Sequence, residues 1–267
     1  MFVTGKGGVG KSTVAAAVAL LAARRGKRTL LVAMDGKTPR CPAHPNLAST
    51  VYDTEEALRE YIRLYVRIPL VSRLGVLAQT LDFVADAAPG VREILAVGKV
   101  CYEAKSGGYD LVVVDAESSG HVASQLAAPR TIRSLAQVGM LREQTDWMIE
   151  MLSNPEVCSV MVVTTPEESP VDETLDLIRA LRAEAKVSVP VVVVNRMPSA
   201  PPRGVDVIAP RISALLGSRH DAANVQVQRL VRAPGAETID VVSVPRVDGD
   251  EVDAVADALD DEFGEAL

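Results

Sequence analysis

An α/β fold, a mostly parallel sheet flanked by helices, is predicted by three features of the sequence. Strand-length apolar runs alternate with segments of helical period along nearly the whole chain. Several of these runs are continuous in Val, Leu and Ile, the pattern of strands covered by helices on both faces. A glycine-rich loop joins the first apolar run to the first helical segment.

The strands are expected at Phe2–Thr4, Thr29–Met34, Leu111–Asp115, Ser159–Thr164, Val189–Val194 and Thr238–Val244. An Ala-rich helix from Ser12 to Arg25 closes at Gly26, a usual C-cap. Pro170 to Ala185 has acidic residues early and arginines late, as the helix dipole favours. A last, acidic helix is expected from about Asp250 to Phe263. No strand is expected between Asp35 and Leu111. Thr54 caps a helix carrying Leu58, Tyr61, Ile62 and Tyr65 as one stripe. Pro69, Gly75, Pro89 and Gly90 punctuate further helical pieces up to Lys105. A second helical stretch covers Arg130 to Leu152. The expected organisation is one domain over 1–267, with a helical subdomain over 50–106 and 130–153. The stripe, with Leu70, Val71, Leu74, Val76, Leu77, Leu81 and Phe83, reads either as a small core or as a groove for an apolar helix. Prolines at 39, 42 and 45 and at 198, 201 and 202 mark irregular connections. There is no internal repeat and no second phosphate loop.

Composition is that of a globular protein: 267 residues, 48% apolar and 24% charged. A net charge of −7 argues against nucleic acid as a partner. No uninterrupted apolar stretch is long enough to cross a bilayer. Met1 to Thr4 runs straight into the glycine loop rather than forming a leader. Three well-separated cysteines, Cys41, Cys101 and Cys158, read as reduced thiols, so a cytoplasmic chain is expected, peripheral to a membrane only through a partner. Cys41 stands near His44, but two candidate ligands do not make a metal site.

Gly5-Lys6-Gly7-Gly8-Val9-Gly10-Lys11-Ser12 fits the phosphate-loop pattern G-x-x-x-x-G-K-[ST], between a strand and a helix. Glycines let consecutive backbone amides turn around phosphate oxygens, and the helix N-terminus lies beneath them. Lys11 would neutralise the β- and γ-phosphates, and the Ser12 hydroxyl would ligate Mg²⁺. The loop therefore predicts binding of ATP with Mg²⁺, Thr13 completing the contact set. Lys6, directly after the first glycine, makes the loop resemble the deviant Walker A motif of dimeric nucleotide switches. There such a lysine contacts phosphate, often across the dimer interface, as an arginine finger does. The plain alternative is a solvated loop lysine.

Further stretches resemble the arsenite-pump ATPase family, which includes the targeting ATPase for tail-anchored membrane proteins. Asp115, Gly120, His121, Leu126 and Pro129 stand at the spacings of its switch II segment. Pro166, Glu167, Glu173 and Thr174 are similar to its next strand–helix unit. Val194-Asn195-Arg196 resembles its adenine-recognising strand end, and Ser243-Val244-Pro245 the segment closing over the base. The resemblance runs from Phe2 to Pro245, is strongest to actinobacterial members, and implies a phosphate-loop ATPase with a helical subdomain beside the nucleotide. Three departures accompany it. Ser118-Ser119 replaces a Pro-Thr pair, no acidic residue follows Asp35 until Asp53, and the Gly36–Thr50 connection is short for a switch I loop. Arsenite-binding cysteines and a CxxC zinc pair have no match.

The resemblance implies a dimeric switch, with an identical chain or a paralogue, serving a membrane-transport or membrane-protein-targeting partner or an apolar helical client. Lys6 and Asp35 are the candidate catalytic residues, Asp35 orienting the attacking water. Gly5, Lys6, Gly7, Gly8, Val9, Gly10, Lys11, Ser12, Thr13, Asn195, Arg196 and Pro245 form the expected nucleotide set. Ser12, Asp35 and Asp115 form the expected Mg²⁺ set, and Asp115, Gly120 and His121 the switch. His121 reads equally as a γ-phosphate or partner sensor and as a hydrogen-bonded structural residue; His44 and His220 read as surface residues. Two other readings are a regulatory subunit that hydrolyses poorly and a partition or septum-positioning ATPase. The acidic C-terminus argues against the latter.

Overall fold

The computed structural model describes residues 1–34, 36–53, 91–135, 140–247 and 251–263. Among these, seven strands form one parallel sheet: β1 (Phe2–Gly5), β2 (Thr29–Ala33), β3 (Leu47–Val51), β4 (Leu111–Ser118), β5 (Ser159–Thr164), β6 (Ser188–Met197) and β7 (Asp240–Pro245). Their order is β3-β2-β4-β1-β5-β6-β7. The helices are α1 (Lys11–Arg24), α2 (Val91–Lys105), α3 (Ser119–Leu135), α4 (Met140–Ser153), α5 (Glu168–Ala180), α6 (Pro210–Val231) and α7 (Glu251–Phe263). A π turn, Leu181–Ala185, continues α5, and a single turn, Val205–Ile208, precedes α6.

Alternation along the strands sorts side chains onto two faces, because successive Cβ atoms point to opposite sides of a pleated strand. Val3, Leu31, Val113, Met161, Val163, Val193, Val242 and Val244 pack with α1 and with Val252, Val255, Ala256 and Leu259 of α7. Phe2, Leu30, Val32, Val112, Val114, Val160, Val162, Val192 and Val194 join the opposite cluster. There they meet Val97 and Val100 of α2, Val122 and Leu126 of α3, Leu152 of α4, Val171 and Leu177 of α5 and Leu230 of α6. Both faces are thus covered, which is why the strands are continuously apolar.

Helix α1 is buried without interruption from Val14 to Ala23. Its alanines permit close approach to the sheet on one side and α7 on another. The 41–46 segment closes a further side: the Cys41 thiol approaches the Ala16 carbonyl at 3.7 Å, and Asn46 Nδ2 donates to the Ala23 carbonyl at 3.3 Å. A helix apolar on all sides is stable only when buried on all sides. It ends at Gly26, whose φ of +83° continues the chain in the left-handed conformation expected of a C-cap. Cys101 and Cys158 are buried, and burial pushes the Cys101 thiol up to about 12 and that of Cys158 in the same direction. Neither is a thiolate at neutral pH. Among the described residues no cluster of His, Cys, Asp and Glu is fit to hold a metal, and no helix is long and apolar enough to cross a membrane.

The structure departs from the sequence-based expectation at three places. β3 lies in the stretch where no strand was expected. Among the described residues it is an edge strand, paired with β2 and half exposed, so Leu47-Ala48-Ser49-Thr50-Val51 carries no continuous apolar run. Helix α6 is not among the elements the sequence predicts. Only Ala223 and Leu230 of it are buried, so its sequence shows little of the periodicity that marks a packed helix. The expected Arg130–Leu152 stretch is two helices, and α3 starts well before Arg130, directly after β4. The expected Thr54 cap and the stripe from Leu58 to Phe83 lie outside the described residues.

Polar contacts trim this frame. At one rim of the sheet the Arg28 guanidinium and backbone amide both bind the Asp110 carboxylate, holding it down at about 2. On the outer surface Arg24 pairs with Asp253 and Asp257, and Arg25 with Asp260, linking α1 to α7. Such exposed pairs contribute about 0–1 kcal/mol each, whereas truncating a fully buried leucine costs about 2–5 kcal/mol. Chemical denaturation should therefore show Leu259→Ala, at 0% exposure, losing about 2–5 kcal/mol. Arg24→Ala should lose less than about 1 kcal/mol. The reverse ranking would mean that charge, rather than apolar packing, holds α7 in place.

Candidate functional site

The glycine loop leaves the sheet at the C-terminal end of its central strand, β1. The register against β4 slips there: Val3 pairs with Asp115, but Gly5 pairs with Ser118. The buried Thr4 hydroxyl donates to the Glu117 carbonyl at 2.9 Å and holds the two strands together where they part. Gly5 is required by space. A Cβ there would lie 2.0 Å from the Val163 carbonyl oxygen of β5, and its φ is +150°. Val9, 2% exposed, anchors the middle of the loop in the α1 cluster. Gly10, at φ +95°, then leads into α1, whose first turn closes through Val14 N–H to the Gly10 carbonyl at 3.0 Å. Gly7 and Gly8 face open space on the side where a Cβ would project. The result is a backbone cradle, open on one side, above a helix N-terminus, an arrangement that suits phosphate oxygens.

Side chains brace this cradle. Lys11, half-buried, sends Nζ to the Lys6 carbonyl at 3.3 Å. Ser12 is exposed beside it, and Thr13 is half-buried in the same turn of α1. From β6, Asn195 Nδ2 donates to the Val9 carbonyl and Arg196 Nη1 to the Gly8 carbonyl, both at 2.9 Å. Asn195 is 4% exposed, and its Oδ1 accepts from the Arg196 backbone amide at 2.9 Å. Arg196 itself has φ +59°, the left-handed region that non-glycine residues seldom enter. Pro245 closes β7 in register with Met197, and Arg246 N–H bonds the Met197 carbonyl at 3.0 Å. Asn195, Arg196 and Pro245 thus stand at the same sheet end as the loop, though far from it in sequence.

Lys6 turns away from the cradle within its own chain. Its Nζ donates to Ser169 Oγ at 2.7 Å and to Glu173 Oε1 at 2.5 Å, both on α5. This pair is partly open to solvent. The resemblance puts Glu173 in a family-like unit, but nothing in the sequence alone connects it or Ser169 with Lys6. The available signal was their i, i+4 spacing on one helix face beside the loop.

The third group is the continuation of β4. Asp115, 7% exposed, pairs in register with Val3 on one side and Ala33 on the other, and its carbonyl accepts from Met34 N–H at 3.0 Å. The pairing of Gly5 with Ser118 places the start of α3, with Gly120 and His121, next to the loop. His121 is exposed, and its carbonyl accepts from the Ser124 hydroxyl at 2.8 Å. Asp35 lies outside the described residues. The loop, Asp115, Gly120, His121, Asn195, Arg196 and Pro245 therefore gather at one end of the sheet, where ligands of open parallel sheets bind.

Known proteins match along this same arrangement. The model of the anion-transporting ATPase family matches residues 1–144 and 127–206. The ATPase BagA of Mycobacterium tuberculosis is 31% identical over 218 residues, covering 73% of this chain and 64% of that protein. The ATPase get3 of Schizosaccharomyces japonicus is 29% identical over 168 residues, covering 57% of this chain and 51% of that protein. The ATPase ASNA1 homolog of Entamoeba histolytica is 24% identical over 232 residues, covering 68% and 71%. This chain thus spans less than two thirds of the mycobacterial relative's length. With a family model matching most of its length and a relative above 30% identity, the chain belongs to the anion-transporting ATPase family.

Proposed function

We propose that the chain is an ATP-binding and ATP-hydrolysing switch that works as a dimer, with a second copy or a paralogue, and couples its nucleotide state to a membrane-transport or membrane-protein-targeting partner. The observation that carries this reading is the loop from Gly5 to Ser12, clamped at Gly5 and Gly10 yet open at Gly7 and Gly8. Loop amides and Lys11 would hold the polyphosphate, with Thr13 beside them. Ser12 would hold Mg²⁺ directly, with Asp35 or Asp115 reaching it through water; the ion would supply neutralising charge at the β- and γ-phosphates. Asp35 is proposed to orient the attacking water. Asn195, Arg196 and Pro245 would take the base, as the resemblance implies. Asp115, Gly120 and His121 form the segment that responds to the γ-phosphate. The partner would be a membrane protein or an apolar helical client, and no nucleic acid is involved. A cytoplasmic location, peripheral to the membrane, fits this role.

Lys6 links the loop to α5. For it to reach phosphate across a dimer interface, its bonds to Ser169 and Glu173 must open, so nucleotide engagement would be coupled to a change at α5.

A second reading is favoured by the switch I side. No acidic residue lies between Asp35 and Asp53, and the connection passes directly into edge strand β3. This fits a regulatory partner that binds ATP but turns it over poorly.

Mg²⁺-dependent phosphate release by the purified chain separates the two readings. In the first, Lys11→Ala abolishes ATP binding, while Lys6→Ala keeps binding and loses turnover by at least about a hundredfold. Binding without turnover by the unaltered chain would select the regulatory reading, and a Lys6→Ala variant as active as its parent would remove Lys6 from catalysis. A companion variant tests the α5 contact. Because an exposed ion pair contributes about 0–1 kcal/mol, Glu173→Gln should raise turnover by no more than about fivefold. A fall in turnover would instead give Glu173 a direct part in the reaction.

A further inference from the structure

We propose that Glu117 is a further catalytic residue of this site, the carboxylate that takes up a proton from the attacking water; the inference rests on the hydrolytic reading above. Two carboxylates stand near the C-terminal end of β4, and their surroundings differ. Asp115, 7% exposed, lies inside the sheet between β1 and β2. Glu117 is half-buried and lies where β4 leaves the sheet. There the register slips: Asp115 to Ser118 on β4 runs beside Val3 to Gly5 on β1, so β4 accommodates an extra residue. Such irregularities re-aim side chains beside functional sites. The Thr4 hydroxyl fixes this one by donating to the Glu117 carbonyl at 2.9 Å. Glu117 is thereby held one strand spacing, about 4.8 Å, from the strand end that opens the phosphate loop.

Among the described residues the Glu117 carboxylate makes no hydrogen bond or ion pair. Lys6, the flexible cation of the loop, is engaged with Ser169 and Glu173 instead. An unneutralised carboxylate beside a phosphate cradle repels the ligand, so binding alone would favour an uncharged residue at this position. The charge becomes useful when a water lies between the carboxylate and the γ-phosphate. With Asp35 orienting that water, a proton acceptor is still required. The switch I side offers no other carboxylate between Asp35 and Asp53, whereas β4 supplies one. In the step, the water oxygen bonds to the γ-phosphorus as the bond from phosphorus to the β–γ bridging oxygen breaks. ADP leaves with the electron pair, and a water proton passes to Glu117. Partial exposure then lets the carboxyl group return that proton to solvent.

The test uses the full chain with Mg²⁺ and measures ATP affinity and phosphate release separately. Glu117→Gln should lower kcat about a hundredfold, the contribution of one positioned proton acceptor, while binding ATP as tightly as the parent or more tightly. Glu117→Asp, which keeps a carboxylate, should lose less. Melting curves check that each variant is folded, and Glu117→Ala replaces Glu117→Gln if the latter is not. Turnover by Glu117→Gln within about threefold of an active parent overturns the proposal and leaves the hydrolytic reading standing. ATP binding weakened in step with turnover also overturns it, since the carboxylate would then hold the metal or the strand end. If the unaltered chain binds ATP without turnover, the hydrolytic reading itself fails, and the proposal with it.

Discussion

The arrangement of this protein depends on one close approach: the backbone of β1, at Gly5, against the Val163 carbonyl of β5. β1 is the central strand of the sheet, hydrogen-bonded to β4 and β5 along its length. Its last residue must leave the sheet while still pressed between its neighbours, and only a residue without a Cβ fits there. The slip in register against β4 at the same point begins the departure. Everything the site needs is then placed by where this strand ends. The loop opens at the C-terminal edge, α1 starts beneath it, and the ends of β4, β6 and β7 come to its sides.

A loop of glycines would be a poor binding element if the platform under it were soft. Here it is hard. α1 is enclosed on every side by the sheet, α7 and the 41–46 segment, and Val9 ties the loop into the same apolar cluster. Dense apolar packing resists displacement, so the first turn of α1 is held in position relative to β1. The acidic outer face of α7 adds ion pairs to Arg24 and Arg25, but its inner face, Val252, Val255, Ala256 and Leu259, carries the energy of the contact.

Around that fixed platform stand contacts of unequal firmness. Asn195, buried and bonded at both ends of its amide, belongs to the rigid side of the site. The contact of Lys6 with Ser169 and Glu173 is partly solvated and made by a long flexible side chain, so it opens at small cost. The segment from Asp115 to His121 begins as a buried strand and ends as an exposed helical turn beside the loop. A site built in this way holds its loop backbone firmly, and Lys6 and the exposed turn at the β4–α3 junction are its less firmly held parts.

The sequence by itself determined the sheet, the phosphate loop and the family, because each is encoded locally. Continuous Val and Leu runs mark strands covered on both faces, and the glycine pattern of the loop is written in eight consecutive residues. The grouping of Asp115, Gly120 and His121 with the loop was implied by the resemblance to the family's switch II segment. The edge strand β3 and the exposed helix α6 were not legible, since a half-buried element leaves only a weak periodic trace. Only the tertiary structure decided what the polar side chains do. Asn195 lies 186 positions from Val9, and Glu173 lies 167 from Lys6. Nothing local in the chain records that parallel strands bring their ends together. Which carbonyl an amide reaches across that gap is set by strand order and register, and these exist only once the sheet has formed.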